Sequence, residues 1–119
     1  MIFKEGQAIY LQIAERLADE ILSGKYLADS RVPGVREYAA LMEVNVNTVV
    51  KAFEHLFNRN ILYNRRGLGY FVSADAKEII SEMRREDFKN RYLPELFKHM
   101  QQLGIGLEEI EQEFRKYKL

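Results

Sequence analysis

The sequence predicts a mainly α-helical fold: three helices, then a small β-hairpin, then a helical tail. Three observations carry that expectation. Apolar residues recur three and four apart from Ile9 to Leu22 and again from Val35 to Leu56. Two β-prone runs flank a glycine-bearing polar turn between positions 61 and 72. After Ser73 the helical rhythm returns and continues to Tyr117.

The first helix is expected from about Ala8 to Ser23, with Ile9, Ile13, Leu17 and Ile21 on one face and Gly24 where a C-terminal cap glycine belongs. The stretch GKYLADSRVPG reads as a loop, because Gly24, Asp29, Ser30, Pro33 and Gly34 are turn formers and Pro33 biases Val32 away from helix. A short second helix, Val35 to Met42, is expected to place Val35, Tyr38, Ala39 and Met42 on one face, with Gly34 acceptable as its N-cap. Glu43-Val44-Asn45 interrupts the rhythm, and a third helix from about Val46 to Asn58 buries Val49, Ala52, Phe53 and Leu56. Two helices joined by so short a turn form a helix-turn-helix. Ile61-Leu62-Tyr63 and Tyr70-Phe71-Val72 around Asn64–Gly69 form a hairpin with a basic tip, so the whole is a winged helix-turn-helix.

Residues 74–119 carry about fifteen large apolar side chains, with Pro94 marking a break or kink and Gly104-Ile105-Gly106 a turn. A segment this short encloses too little surface to be stable alone, the practical limit being ~40–60 residues. Its apolar faces therefore need the first domain or a second chain, and the second suits a helix-turn-helix that meets a two-fold site. The expected organisation is 1–73 for the winged domain and 74–119 for a short C-terminal helical dimerisation segment. Ile79, Ile80, Met83, Phe88, Leu96, Phe97, Met100, Ile110 and Phe114 are its candidate interface residues. A small-molecule pocket is not expected in so thin a segment, and whether an effector binds is left open.

Composition narrows the class. Hydrophobic residues make up 47% and charged residues 30%, with two prolines and no cysteine. A globular protein without disulfides or thiolate metal sites follows, and a reducing cytoplasmic setting is the default. No apolar run approaches the ~18 residues that would span a membrane. Total charge is balanced at 18 basic and 18 acidic groups, but between Val44 and Gly69 four basic residues face Glu54 alone. That local field, and not the total, bears on a polyanionic partner.

In a helix-turn-helix the front of the second helix enters the major groove. On a helical layout, Asn47, Thr48 and Lys51 lie opposite the buried arc there, and asparagine can pair with adenine N6 and N7 while lysine favours guanine or phosphate. Asn45 suits an N-cap, worth ~1 kcal/mol, and a phosphate contact equally. Asn47 has no such excuse, since a helix interior disfavours asparagine. Lys51 reads as a contact or as an ordinary solvated lysine. Arg36 stands in the first turn of the second helix, where the dipole disfavours a cation unless an anion arrives; the plain alternative is an ion pair with Glu37 or Glu43. Arg65 and Arg66 at the hairpin tip, with Gly67 and Gly69, suit insertion into a narrow minor groove, or else a solvated turn.

Other chemistry has little to build on. His55 and His99 lie far apart with no cysteine to join them, so neither a metal nor a cofactor is expected. Gly104-Ile105-Gly106 lacks the spacing of a dinucleotide fingerprint, Glu108, Glu109, Glu111 and Glu113 read as a solvated helix face, and no nucleophile–base cluster suggests an enzyme. A winged helix used for protein–protein contact without DNA readout is the competing class, because fold does not dictate function.

Several stretches together resemble the GntR transcriptional regulators, and within them the short YtrA-like branch. IYLQIAERLADEILSGKY (9–26) is similar to that family's first helix, RVPGVREYA (31–39) to its Leu-Pro-Ser-x-Arg-Glu-Leu-Ala signature, VNVNTVVKAFEHL (44–56) to its recognition helix and RRGLGYFV (65–72) to its wing. YLPELF (92–97) and LGIGLEEI (103–110) resemble the accessory helices of the short branch. The resemblance implies a homodimeric, sequence-specific regulator of double-stranded operator DNA, usually a repressor of a neighbouring operon, with contacts at Arg36, Asn45, Asn47, Thr48, Arg66 and Gly67. Departures are Val46 and Val50 where many relatives have arginine, Gly34 for the usual serine, Ala28-Asp29 for a Pro-Gly turn, and Glu43 at a corner where glycine is frequent.

Overall fold

The computed structural model describes residue 3 and residues 5–117. The elements are α1 (Ile9–Leu22), α2 (Val35–Met42), α3 (Val46–Asn58), β1 (Leu62–Arg65), β2 (Gly69–Val72), α4 (Ala76–Asp87), a π-helical turn (Phe88–Tyr92), α5 (Leu93–Leu103) and α6 (Leu107–Lys116). This is a mainly helical winged helix-turn-helix with a two-stranded wing and a helical C-terminal segment. The chain divides into two compact units, one reaching Glu82 and the other starting at Met83.

In the first unit α3 packs on α1, α2 and β1. The apolar stripes read from the sequence supply the contact: Ile13, Leu17 and Ile21 of α1, Tyr38 and Ala39 of α2, and Val49, Ala52, Phe53 and Leu56 of α3 are all buried. Phe53 sits between two other aromatic rings, 5.7 Å from Tyr38 and 5.4 Å from Tyr70, the latter edge-on. That edge-to-face geometry sets the negative face of one ring against the positive edge of the other.

One buried charge was not foreseen. Glu20 on α1 is 7% exposed, and its carboxylate accepts a hydrogen bond from the Tyr38 hydroxyl at 2.5 Å and one from Lys25 Nζ at 3.2 Å, with Arg16 Nε 3.7 Å away. Burial first, and the Glu20 hydrogen bond second, push the Tyr38 phenol well above its ordinary ionisation range, so it remains the donor. A buried carboxylate is tolerated only when so partnered, and this one ties α1 to α2.

The three helices end alike. Lys25 N–H bonds to Glu20 C=O and Gly24 N–H to Ile21 C=O; Val44 pairs with Ala39 and Glu43 with Ala40; Ile61 pairs with Leu56 and Asn60 with Phe57. Each is a Schellman motif, which places one residue in the left-handed region. Gly24 at φ +88 and Asn60 at φ +64 suit that position, whereas Glu43 at φ +57 carries a Cβ into it. The corner flagged by the sequence is therefore the strained one.

The wing is broader than the sequence suggests. β1 and β2 are antiparallel with Leu62 opposite Val72, Tyr63 opposite Phe71 and Arg65 opposite Gly69. Residues expected to be loop add a third rung: Asp29 N–H bonds to Val72 C=O at 2.7 Å, Val72 N–H to Ser30 C=O and Val32 N–H to Tyr70 C=O at 3.0 Å each, and Arg31 bridges Phe71. Pro33 holds Val32 extended, and β2 offers an open edge, so the loop completes the sheet.

α4 begins within the first unit, where Ala76 and Ile80 are buried. Ile80, 2% exposed, is thus core of its own chain, which corrects its assignment to a subunit interface. In the second unit the break expected at Pro94 takes another form. The helix continues through a π-helical turn in which Leu93 N–H reaches back to Phe88 C=O, and Pro94 falls in the first turn of α5. The wider turn accommodates a ring that lacks an N–H and would clash with the preceding turn of an α-helix. Gly104, at φ +67, closes α5, and Gly106 stands as N-cap of α6, where Glu111 and Glu113 pair with Arg115 and Lys116 on a solvated face.

Replacing Glu43 by glycine removes the left-handed penalty, and urea denaturation should show a gain of about 0.5–1 kcal/mol. A loss of stability would mean that the Glu43 side chain contributes more than its backbone strain costs.

Candidate nucleic-acid interface

The front of α3 is organised by Asn45. Its backbone is extended, at φ −66 and ψ 141, and its side-chain oxygen accepts the Asn47 N–H at 2.8 Å. Asn45 is therefore the cap, and Asn47 lies in the first turn of the helix with its backbone donor already satisfied. The Asn47 side chain is exposed and, among the described residues, has no hydrogen-bond partner. Thr48 beside it is half-buried, as are Val46 and Val50. Lys51 is exposed on the next turn, but its ammonium rests 4.3 Å from the centre of the Tyr10 ring, a cation–π contact that holds it against α1.

Arg36 is exposed in the first turn of α2, whose N-cap Gly34 supplies no side-chain bond. Among the described residues neither Glu37 nor Glu43 lies within salt-bridge range of it. Glu37 in the same turn suits the helix N-terminus, but among the described residues no carboxylate pairs with the Arg36 guanidinium itself.

At the wing the structure separates two arginines that the sequence put together. Arg65 is not at the tip: it ends β1 opposite Gly69, with its guanidinium 4.8 Å from the Phe71 ring and 5.9 Å from that of Tyr63. The strand runs two residues further than expected because Tyr63 and Phe71 stack across the ladder at 5.7 Å and Arg65 lies over them. The tip is Arg66-Gly67-Leu68, closed by Leu68 N–H on Arg65 C=O at 2.8 Å, with Gly67 at φ +79 as the third residue of the turn. Arg66, Gly67 and Leu68 are all exposed.

Arg31 was missed by sequence reasoning. Its Nε donates to Leu68 C=O at 2.7 Å, across 37 positions of chain. No periodicity or turn signal announces such a contact. Gly69, at φ +107, lies beneath the same side chain: a Cβ there would sit 3.3 Å from Arg31 Nε.

These parts define a class: a helix-turn-helix with an exposed polar reading head, flanked by a cationic helix start and an arginine-tipped wing. The family model described as bacterial regulatory proteins, gntR family, matches residues 9–72. The HTH-type transcriptional regulator YhcF of Bacillus subtilis is 32% identical over 91% of this chain and 88% of its own. The HTH-type transcriptional repressor YtrA of the same organism is 31% identical over 90% of this chain and 82% of its own. A crystal structure of a GntR-family regulator from Bacteroides thetaiotaomicron superposes with a TM-score of 0.83 at 42% identity, covering 92% of this chain and 95% of the other. The chain belongs to the GntR family of DNA-binding transcriptional regulators, which are not enzymes. Likeness to YtrA over most of both chains takes in the C-terminal helices, as the resemblance to the short branch implied. Among the described residues no helix is long and apolar enough to cross a membrane, and no three metal-ligating side chains converge.

His55, on the flank of α3, offers a pH test. Its Nδ1 accepts from Arg59 Nη1 at 3.0 Å and its ring meets Tyr10 edge-on at 6.0 Å. Burial first, and the Arg59 charge second, hold its pKa below the ordinary 6.5. The unfolded chain therefore takes up a proton before the folded one does, so this group makes stability fall as pH drops below about 6.5 towards the folded-state pKa. Denaturation midpoints measured from pH 7.5 to 5 should show a shallower decline in His55→Gln than in the parent; an equal decline would assign it to other groups.

Proposed function

We propose that the protein is a repressor that binds as a homodimer to a two-fold operator near its own operon, in the cytoplasm. Each winged domain (1–73) addresses one half-site and residues 74–119 join the two copies. The observation that carries the DNA readout is Asn47: exposed, in the first turn of α3, its backbone N–H capped by Asn45 and its side-chain amide without a hydrogen-bond partner among the described residues. An amide so placed matches the adenine edge in the major groove. Thr48 and Lys51 stand beside it, and Lys51 needs only to leave the Tyr10 ring to reach a base or a phosphate. Asn45, its oxygen spent on the cap, still has its amide N–H groups for a phosphate. Arg36, Arg66 and the Gly67–Gly69 turn supply backbone and minor-groove contacts, with Arg65 stacked behind as added positive charge.

The second unit supports the dimer. No residue of α5 or α6 is buried within the chain, although both carry apolar faces. Phe88, Leu96, Phe97 and Phe114 are exposed, Phe114 at 67%, and Met83, Met100 and Ile110 are half-exposed; Ile79, in the first unit, is half-exposed as well. Tyr92, Leu103, Leu107 and Tyr117, outside the candidate interface residues, are exposed as well. Soluble monomers rarely leave so many large apolar side chains of one short segment to water. The repressor role is supported by the likeness to YtrA, an HTH-type transcriptional repressor.

Selection of duplexes from random sequence should recover a two-fold site with half-sites about one helical turn, ~34 Å, apart. Asn47→Ala should cost ~1–3 kcal/mol and relax the preference at one position in each half-site. Arg66→Ala should weaken binding to all sequences alike and reduce the salt slope by about one. Parental affinity and selectivity in Asn47→Ala would remove the proposed readout. Sedimentation at tens of micromolar should give a dimer, converted to monomer by Phe114→Glu with loss of half-site cooperation. A monomeric parent that still selects a two-fold site would remove the role given to residues 74–119.

A further inference from the structure

The third rung pairs with β2 only from Tyr70 to Val72, so the hairpin beyond it is two-stranded, which is marginal on its own, and it ends in a turn with two positive-φ glycines, Gly67 at +79 and Gly69 at +107. The tip nevertheless has a definite anchor. Arg31 Nε donates to the Leu68 carbonyl at 2.7 Å, and among the described residues no other side chain hydrogen-bonds to the turn. The same guanidinium reaches the start of α2: its Nη2 lies 3.6 Å from where a Cβ of Gly34, the N-cap of α2, would stand. Nη2 also lies 3.6 Å from the equivalent point on Gly69. One planar group thus spans the wing turn and the front of α2, fitted against a glycine on each side.

We propose that Arg31 is a positioning residue of the DNA interface. Its guanidinium fixes the wing turn relative to the start of α2, so that Arg66 on the turn and Arg36 on the helix meet the duplex in one register. This rests on the DNA-binding reading above and adds a residue that neither the helix periodicity nor the wing motif singles out. The geometry needs an arginine. A guanidinium donates from Nε while its plane and terminal nitrogens lie along a second element; an ammonium is a point donor on a flexible stem. Preorganisation of this kind acts on affinity by removing the cost of ordering the tip when DNA arrives. Arg31 is itself exposed at the rim of the sheet, so its replacement leaves the buried core intact.

The experiment compares the parent with Arg31→Ala and Arg31→Lys on the duplex recovered by selection, across a range of salt, with amide exchange of Leu68 and Gly69 measured on the free proteins. Positioning predicts that Arg31→Lys, despite its retained charge, binds about three- to tenfold more weakly with the parental salt slope. It also predicts that the Leu68 and Gly69 amides exchange faster in both variants while thermal unfolding stays near the parental temperature. Parental affinity in Arg31→Ala overturns the proposal. So does parental affinity in Arg31→Lys with a salt slope that falls by about one in Arg31→Ala, which would make Arg31 a phosphate contact. A parent that recovers no duplex and shows no binding at low salt overturns the DNA reading and the role of Arg31 together, whereas a binding parent with a parent-like Arg31→Lys overturns the role of Arg31 alone.

Discussion

Phe53 joins the parts of the reading head. It is fully buried on α3, in ring contact with Tyr38 of α2 on one side and Tyr70 of β2 on the other. The helix that presents Asn47, the helix that presents Arg36 and the strand that leads back from the Arg66 turn are thereby fixed against one side chain. Tyr38 passes the constraint on to α1 through its hydroxyl and the Glu20 carboxylate. Loss of the Phe53 ring would cost core stability of the order of 3–5 kcal/mol, and it would also unlink the three surfaces proposed to meet DNA together. Packing inside this domain therefore sets the geometry of contact outside it.

The helices were legible because their signals are local and redundant. Apolar spacing fixed the faces of α1, α2 and α3, and Asn45 marked the start of α3, where its side chain does cap the helix. The reading of Glu43 as a poor occupant of its corner rested on the glycine that helix-turn-helix proteins often place there, and its φ of +57 bears that out. What remained hidden depends on distant partners. The rung formed by Asp29–Val32 exists because β2 has an unpaired edge, the Arg31–Leu68 bond spans 37 positions, and Glu20 is buried because Tyr38 is there to meet it. Arg65 looked like tip residue in the sequence because glycine follows so closely; the stacked Tyr63–Phe71 pair carries the strand past it. Ile80 looked like interface because its helix continues into the uncovered tail, yet the first turns of α4 pack with the winged domain.

Charge shows why local position matters more than totals. Formal net charge is zero, yet the cations at Arg31, Arg36, Lys51 and Arg66 are exposed on the elements that frame the front of α3 and the wing turn. Acidic residues lie in equal number on α4 and α6; on α6 Glu108 and Glu109 complement the helix dipole and Glu111 and Glu113 are paired. With valine at positions 46 and 50, the recognition helix itself carries little charge. In the proposed complex, specificity falls on the amide of Asn47 and its neighbours, and non-specific attraction on the wing and on the start of α2.

The central claim is that the front of α3 reads the major groove while the wing turn occupies the adjoining minor groove. Dimethyl sulfate protection of the selected duplex measures both at once, because it methylates guanine N7 in the major groove and adenine N3 in the minor groove. The account predicts two blocks of guanine N7 protection about one helical turn apart, each flanked on one side by protected adenine N3 positions. Protection confined to the minor groove, or no protection under conditions where the complex is saturated, would contradict it.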